Sequence, residues 1–165
     1  IDHAYASMQI RTMETLSSLL GMIQQPTVPI TQNEALNERD YGDYTGKNKH
    51  DMKEMLGEEM FDSIRRGWNV PVPHGETLQN VYDRIVPYYL NDILPRLNEG
   101  ENVLVVSHGN ALRALTKFIE HISDEDNEKR EMMSGAALVY QVANDGRVKS
   151  KELRETTSAS FDTHA

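Results

Sequence analysis

The sequence has no cysteine among its 165 residues. Disulfide bonds, thiolate nucleophiles and cysteine-ligated zinc or iron–sulfur sites are therefore excluded. Long apolar runs are also missing, since the longest aliphatic stretch is Val103-Leu104-Val105-Val106. A membrane-spanning helix needs about 20 apolar residues, so the sequence predicts no helix of that kind.

Basic residues are few in comparison with acidic ones. The chain has 17 Lys and Arg against 26 Asp and Glu, which gives a formal net charge of −9. Proteins that coat nucleic acid or bind anionic membranes need a positive surface, so we expect neither partner here. A small anionic substrate is still compatible with this charge, because it responds to a local pocket rather than to the total.

The spacing of apolar residues predicts an α/β fold. The aliphatic segment 102–107 is typical of a strand buried on both faces, and a helix is predicted over 111–120. Strands at 136–142 and 148–153 flank Asn144-Asp145-Gly146, which is a hairpin turn signal. We therefore expect a three-layer sandwich with a mostly parallel central sheet, helices on both faces and one antiparallel edge strand.

Further segments show helical spacing or helix-capping residues. Helices are predicted over 8–22 and 58–66, and a long one from Thr77 to Leu97 that Pro87 should kink or restart. Asn48 and Ser123 are predicted caps of two short helices. Weak strands are expected at the N-terminus and near residues 29–34, which leaves the sheet one member short.

The sharpest local signal is Ser107-His108-Gly109-Asn110, placed between a strand and a helix. Ligands of open α/β sheets bind at the carboxyl ends of strands, and a helix N-terminus offers free N–H groups to a phosphate. His108 would donate to a phosphoryl oxygen, and Gly109 would let the ligand approach the backbone. A capped helix start with a solvated histidine explains the same four residues.

Other candidate residues carry charge in suggestive places. Arg65 and Arg66 form a pair at a predicted helix end, suited either to clamp a phosphate or carboxylate or to complement the helix dipole. Glu38 lies in a polar, glycine-containing loop, where it is a candidate general acid or base or simply a charged loop residue. Arg11 lies on the first predicted helix, where the default interpretation is that its side chain belongs to the solvent-exposed face.

Two familiar kinds of catalytic site lack their motifs. No G-x-S-x-G sequence is present to make Ser107 a hydrolase nucleophile. No H-E-x-x-H sequence or close histidine pair is present to bind a metal, so we expect no bound metal ion.

Together the motifs resemble the cofactor-dependent phosphoglycerate mutases of the histidine phosphatase superfamily, from the first residues to about residue 152. The matching segments are Leu36-Asn37-Glu38-Arg39-Asp40-Tyr41-Gly42, Thr45-Gly46-Lys47-Asn48-Lys49, Ile64-Arg65-Arg66, Gly75-Glu76-Thr77-Leu78, Val105-Val106-Ser107-His108-Gly109-Asn110-Ala111-Leu112-Arg113 and Ser134-Gly135-Ala136-Ala137-Leu138-Val139-Tyr140. Asn-Glu-Arg-x-Tyr-Gly and the arginine pair separate the mutases from most phosphatases of the superfamily.

The resemblance implies a role for each matching residue. His108 resembles the second active-site histidine, which stabilises the transferring phosphoryl group, and Arg11 matches an arginine that contacts that group. Glu38 matches the proposed general acid/base. The residues that match substrate-binding positions are Tyr41, Lys49, Arg65, Arg66, Gly109 and Asn110.

The function implied is that of a cytoplasmic isomerase of glycolysis and gluconeogenesis. It would interconvert 3-phosphoglycerate and 2-phosphoglycerate through a phosphohistidine, with 2,3-bisphosphoglycerate as priming phosphoryl donor and a small phosphorylated carboxylic acid as substrate. Two alternatives stay open: a phosphomonoester phosphatase of the same superfamily, and a non-catalytic phosphate-binding relative. The sequence leaves monomer and homo-oligomer unresolved.

One departure from the family concerns the nucleophile, a histidine in an Arg-His-Gly motif that this sequence lacks. We therefore expect the first strand and the nucleophile to lie outside these residues, and the 165 residues alone to be inactive and to fold poorly. The domain is expected over residues 1–154, N-terminally incomplete. Residues 155–165 form a polar tail that either covers the site or is disordered.

Overall fold

The computed structural model describes residues 1–143, 146 and 148–155. Its strands are β1 (His3–Ala6), β2 (Ile30–Gln32), β3 (Val103–Val106), β4 (Ala137–Val142) and β5 (Val148–Arg154). Its α-helices are α1 (Ile10–Met22), α2 (Lys49–Leu56), α3 (Glu58–Arg66), α4 (Leu78–Tyr88), α5 (Leu94–Asn98), α6 (Gly109–Ile119) and α7 (Asp124–Glu128).

The main sheet is parallel and has the order β2-β1-β3. Ala6 pairs with Gln32 on one side and with Val106 on the other, so all three strands end at the same edge. β1 alternates an aromatic ring with alanine, β2 is Ile30-Thr31-Gln32 and β3 is aliphatic throughout. Helices join each strand to the next, as parallel pairing requires. The structure confirms the predicted α/β fold class and its mostly parallel sheet.

Helices cover the two faces of this sheet with separate hydrophobic cores. Tyr5 of β1 points into a large core with α4 and α6, in which Leu78, Val81 and Ile85 are fully buried. Ala4 and Ala6 alternate to the opposite face, where Leu16 and Leu20 of α1 cover them. The two-residue period of β1 thus divides the core, and α1 follows β1 directly because its apolar side must cover these alanines.

The antiparallel pair differs from the expectation in one respect. β4 and β5 form a two-stranded sheet of their own and do not extend the edge of the main sheet. Glu120 at the end of α6 attaches this pair, since its carboxylate accepts from the Tyr140 hydroxyl, Arg130 and Lys151. Side-chain contacts to a helix, rather than ladder hydrogen bonds, therefore hold the hairpin.

Two prolines shape the long helical stretch that begins at Thr77. Pro87 has no N–H to donate, and after α4 the backbone passes through a π-helical segment at Tyr89–Ile93 before α5 begins. The Leu94 N–H bonds to the Tyr89 carbonyl, five residues back, and Pro95 follows immediately. Pro87 thus lies inside α4, one residue before its end, and the hydrogen-bond register changes only after it, in the π turn that leads into α5.

Predicted helix caps are found where the side chains can accept an N–H. The Asn48 side chain accepts from the His50 N–H, and the Ser123 side chain accepts from the Asp126 N–H. The Asn144-Asp145 turn and the tail beyond residue 155 lie outside the described residues. No helix in the described part of the chain is both long and apolar enough to cross a bilayer.

Candidate active site

Most of the candidate residues lie at the carboxyl edge of the main sheet. Ser7 follows β1, and Ser107 and His108 follow β3, so parallel pairing brings them to one edge. His108 is the N-cap residue of α6, whose first residues are Gly109 and Asn110. The structure therefore places the tetrapeptide as predicted, at a strand end and at the positive end of an 11-residue helix.

Hydrogen bonds fix the ring of the buried His108 at both nitrogens. Arg11 Nε donates to Nδ1 at 3.1 Å, so Nδ1 carries no proton. Nε2 then carries the proton and donates to Ser7 Oγ at 2.8 Å. The Ser7 hydroxyl can pass its own proton to Thr12 Oγ1 at 2.7 Å, and Thr12 donates to the Gln9 carbonyl at 2.7 Å. The chain of donors is consistent only with a neutral His108.

Electrostatics also favour the neutral ring. Burial lowers the pKa of His108, the Arg11 guanidinium lowers it further, and Glu38 opposes the shift without reversing it. A neutral imidazole with a fixed tautomer can accept a proton at Nδ1 when Arg11 moves to an anion. Nδ1 is therefore the ring nitrogen whose hydrogen-bond partner can change, since Nε2 is held by the buried Ser7.

Glu38 is tied to the first turn of α6. Its Oε1 atom accepts from the N–H of Arg39 at 2.8 Å and from the N–H of Asn110 at 3.3 Å. The Asn110 side chain in turn donates to the Tyr41 hydroxyl at 3.2 Å. In the described structure the hydrogen bonds to this carboxylate use Oε1, which leaves Oε2 for proton exchange. Glu38, Tyr41 and Asn110 thus form one hydrogen-bonded group beside His108.

A close backbone contact supports the loop that carries Tyr41. Gly42 has a φ of +50°, and a Cβ atom there would lie 2.1 Å from the Pro73 carbonyl oxygen and 2.5 Å from the Gly75 nitrogen. No other residue fits, because both the left-handed backbone and the contact exclude a side chain. The glycines of the two matching loop motifs therefore serve to pack the loops against each other.

Two buried arginines hold the end of α3, which carries the arginine pair. Arg39 Nη1 donates to the Ile64 carbonyl at 2.7 Å, and Arg113 Nη2 donates to the Arg66 carbonyl at 2.9 Å. Burial lowers the pKa of both guanidinium groups. Their partners are carbonyl oxygens that carry no formal charge, so the two cations are positioned without being neutralised.

The remaining predicted residues are further from this group. Arg66 is half-buried and its Nη2 donates to the exposed Glu131 carboxylate at 2.5 Å. Arg65 is exposed and its guanidinium lies 5.4 Å from the centre of the Phe61 ring. Lys49 is exposed at the first residue of α2. Within the described residues, neither Arg65 nor Lys49 hydrogen-bonds to the Glu38 and His108 group.

Gly109 begins α6 and is exposed. A Cβ atom built there meets no atom within 4 Å, so open space faces this backbone, and its contact with a ligand stays a prediction. Ser7 and Thr12 take part in the site but were not predicted from the sequence. Ser7 offered one signal, since it follows β1 in the same register as Ser107 follows β3.

Comparisons with known proteins agree with this geometry. Residues 1–156 match the histidine phosphatase superfamily (branch 1). A protein of Rhizobium johnstonii named 2,3-bisphosphoglycerate-dependent phosphoglycerate mutase is 42% identical over 152 residues, which cover 92% of this chain and 72% of that protein. A protein of Bradyrhizobium diazoefficiens with the same name is 43% identical over 150 residues, or 91% of this chain and 72% of the relative.

Solved structures show the same fold. Bacillus stearothermophilus YhfR matches with a TM-score of 0.76 and 27% identity, covering 90% of this chain and 71% of its own. The mycobacterial glucosyl-3-phosphoglycerate phosphatase matches with a TM-score of 0.71 over 93% of this chain and 76% of its own, but at 17% identity it supports the fold alone. The two curated relatives are named as phosphoglycerate mutases, and the chain belongs to the histidine phosphatase superfamily.

Proposed function

We propose that the protein interconverts 3-phosphoglycerate and 2-phosphoglycerate through a phosphohistidine, as an isomerase of glycolysis and gluconeogenesis in the cytoplasm. The observation that carries this proposal is the joint placement of Arg11, Glu38 and His108 at one sheet edge. Phosphoryl transfer depends on positioning and charge stabilisation. Arg11 would supply a cation, Glu38 a group that carries a proton, and His108 a hydrogen bond to the phosphoryl oxygen. The names of the relatives support the substrate.

Glu38 would exchange the proton of the substrate hydroxyl through Oε2, because Oε1 is held by two backbone N–H groups. Arg11 would turn from His108 Nδ1 to the phosphoryl group, and His108 would then take up a proton at Nδ1 and donate it in a hydrogen bond to a phosphoryl oxygen. Arg66 would bind an anionic end of the substrate after releasing Glu131. The nucleophilic histidine of such a reaction is expected outside these 165 residues.

The donor set fits 2,3-bisphosphoglycerate. Two buried guanidinium N–H groups, Arg39 Nη2 and Arg113 Nε, have no hydrogen-bond partner in the described part of the chain. Both atoms are enclosed by protein, so they add positive charge without reaching a ligand. Arg11, Arg66 and the first N–H group of α6 are the donors suited to phosphate and carboxylate oxygens. When bound, this cofactor supplies the phosphoryl group that primes the enzyme. Arg11, Arg66 and the N–H of Gly109 are the groups proposed to hold it.

The test measures mutase flux and phosphate release in the same sample of the full-length protein, with 3-phosphoglycerate and a catalytic amount of 2,3-bisphosphoglycerate. We expect flux to exceed phosphate release. We expect Glu38→Gln to lower kcat by about 10²- to 10⁴-fold, the usual contribution of a general acid or base. Glu34→Gln changes a second carboxylate in the same segment and is the matched control, with unchanged flux.

Other outcomes identify the alternatives. Phosphate release equal to substrate consumption would make the protein a phosphatase. Binding of inorganic phosphate without any turnover would make it a non-catalytic relative. A Glu38→Gln variant with the full mutase rate would refute the acid/base assignment.

A further inference from the structure

Arg84 is a half-buried arginine in the middle of α4, and within the described residues it hydrogen-bonds to neither His108 nor the Glu38 carboxylate. Its Nη1 donates to the Ala35 carbonyl at 2.7 Å, and its Nη2 donates to the carbonyls of Asn37 at 3.0 Å and Glu38 at 3.3 Å. A single side chain thus binds the main chain of the segment that carries Glu38. These contacts join residues 46 to 49 positions apart in the sequence.

Glu76 completes this arrangement from the opposite side. Arg84 Nε and Nη2 form a bidentate pair with the two Glu76 carboxylate oxygens at 2.8 and 3.0 Å. Glu76 Oε2 also accepts from the Asp40 N–H at 2.9 Å, two residues beyond Glu38. Burial opposes ionisation of Glu76, but the Arg84 and Asp40 hydrogen bonds hold its pKa below the ordinary value. The pair therefore stays charged and fastens the segment before and after Glu38.

The segment needs such support because it has no regular structure of its own. Residues 37–41 lie between two single turns of 3₁₀ helix and belong to no strand ladder. Backbone carbonyls of an irregular, partly buried segment require donors from elsewhere. A guanidinium offers five N–H groups in a rigid plane and can serve several carbonyls and a carboxylate together, which a lysine ammonium cannot do in this geometry.

We propose that Arg84 is a positioning residue for Glu38: with Glu76 it fixes the main chain at residues 35–40 and thereby sets the place of the Glu38 carboxylate relative to His108. Arg84 donates to the carbonyl of Glu38 and not to its carboxylate, so it acts through the backbone. This inference rests on the proposed function, because it assigns Arg84 a purpose in the same site.

The test compares Arg84→Lys with Arg96→Lys in the full-length protein. Arg96 is a matched control, since it also pairs with a carboxylate, Glu101, and donates to another side chain, the Tyr5 hydroxyl, away from Glu38. Three quantities are measured: amide hydrogen exchange of residues 35–40, the melting temperature, and kcat and KM for 3-phosphoglycerate. Glu76→Gln is the milder second variant and keeps the test valid where Arg84→Lys fails to fold.

We expect Arg84→Lys to raise exchange at residues 35–40 while leaving exchange in α1 unchanged. We expect kcat to fall about 10- to 100-fold, the loss expected for a displacement of roughly 1 Å, with KM within about twofold of the unmodified protein. Glu76→Gln should also raise amide exchange at residues 35–40 and lower kcat, each by less than Arg84→Lys does. Arg96→Lys should change neither.

Three results would overturn the inference. One is unchanged exchange at residues 35–40 in both Arg84→Lys and Glu76→Gln. Another is raised exchange with a kcat equal to that of Arg96→Lys, which would leave Arg84 a purely structural role. The third is a raised KM at constant kcat, which would assign Arg84 to binding. A protein without mutase flux would refute the proposed function instead, and the inference would then be decided by exchange and by the rate of phosphate release.

Discussion

Replacing Ser7 with alanine removes the oxygen that accepts the proton of His108 Nε2. In the structure Ser7 Oγ also accepts from the Gln9 N–H at 3.1 Å and contacts Thr12 Oγ1 at 2.7 Å. After the change Thr12 keeps its hydrogen bond to the Gln9 carbonyl. The loss falls on two donors, the ring N–H of His108 and the backbone N–H of Gln9.

The expected destabilisation follows from burial. Ser7 is 0% exposed and His108 is 7% exposed, so water cannot readily replace the missing acceptor. Gln9 is only partly buried, so water can reach its N–H and the cost comes mainly from His108. A buried donor left without a partner costs about 1–3 kcal/mol. For a domain of this size, each kcal/mol lowers the melting temperature by about 2–4 °C. We therefore expect Ser7→Ala to lose about 1–3 kcal/mol of unfolding free energy.

The assay is urea unfolding followed through the single tryptophan, Trp68, with Ser17→Ala on the exposed side of α1 as control. Imidazole ¹⁵N NMR provides the second readout, since it distinguishes a protonated Nε2 from a protonated Nδ1. We expect the Nε2–H tautomer in the unmodified protein. A Ser7→Ala free energy of unfolding within about 0.5 kcal/mol of the Ser17→Ala value, a typical surface effect, would refute the assigned donor chain.

Three further predictions concern charge. The pKa of His108 is lower in the folded than in the unfolded protein, so below pH ~6.5 the unfolded state binds more protons. The contribution of His108 to the free energy of unfolding should be complete above pH ~6.5 and be lost as the pH falls through the depressed folded pKa. Urea titrations at pH 5.5 and 7.5 should show a smaller difference in unfolding free energy for His108→Gln than for the unmodified protein. Glu120→Gln should weaken attachment of β4 and β5, seen as faster amide exchange there, with Lys151→Met giving a smaller effect because one of several partners is lost. Glu131→Gln should lower the KM for 3-phosphoglycerate at unchanged kcat, because it frees Arg66; an unchanged or raised KM would show that Glu131 does not compete with the substrate.

Local periodicity predicted the elements that make the site possible. The segment 58–66 is helical with the predicted bounds, and the strand before His108 ends one residue earlier than expected, at Val106. These elements follow from short-range spacing and capping, which the sequence displays directly. The hairpin was also predicted, but not that it would form a separate sheet. The attachment of the hairpin to Glu120 is also non-local, because Tyr140 and Lys151 lie 20 and 31 residues from that carboxylate.

The cluster around His108 required more than spacing. Arg11, Glu38 and His108 were selected through the family resemblance, since each alone is explained equally well by a solvated charge or a capped helix. The sequence pattern did not predict the contacts of Arg84 and Arg113, because an arginine on an amphipathic helix is expected to face solvent. Arg84 donates to main-chain carbonyls 46 to 49 residues away in the sequence, and Arg113 donates to a carbonyl at the end of α3. The residue spacing within a helix carries no information about such distant partners.

The net charge of −9 and a cationic active site are compatible because of where the arginine charges are placed. Arg39 and Arg113 are almost completely buried, yet their described hydrogen bonds go to the carbonyls of Glu76, Ile64 and Arg66 and to no carboxylate. Carbonyl dipoles stabilise a guanidinium in place of water without cancelling its charge, and an arginine stays protonated even when burial lowers its pKa. The excess carboxylates of the chain are screened by solvent at the surface. Charges held in this way act at short range, so a net charge of −9 is compatible with the binding of a small phosphorylated anion.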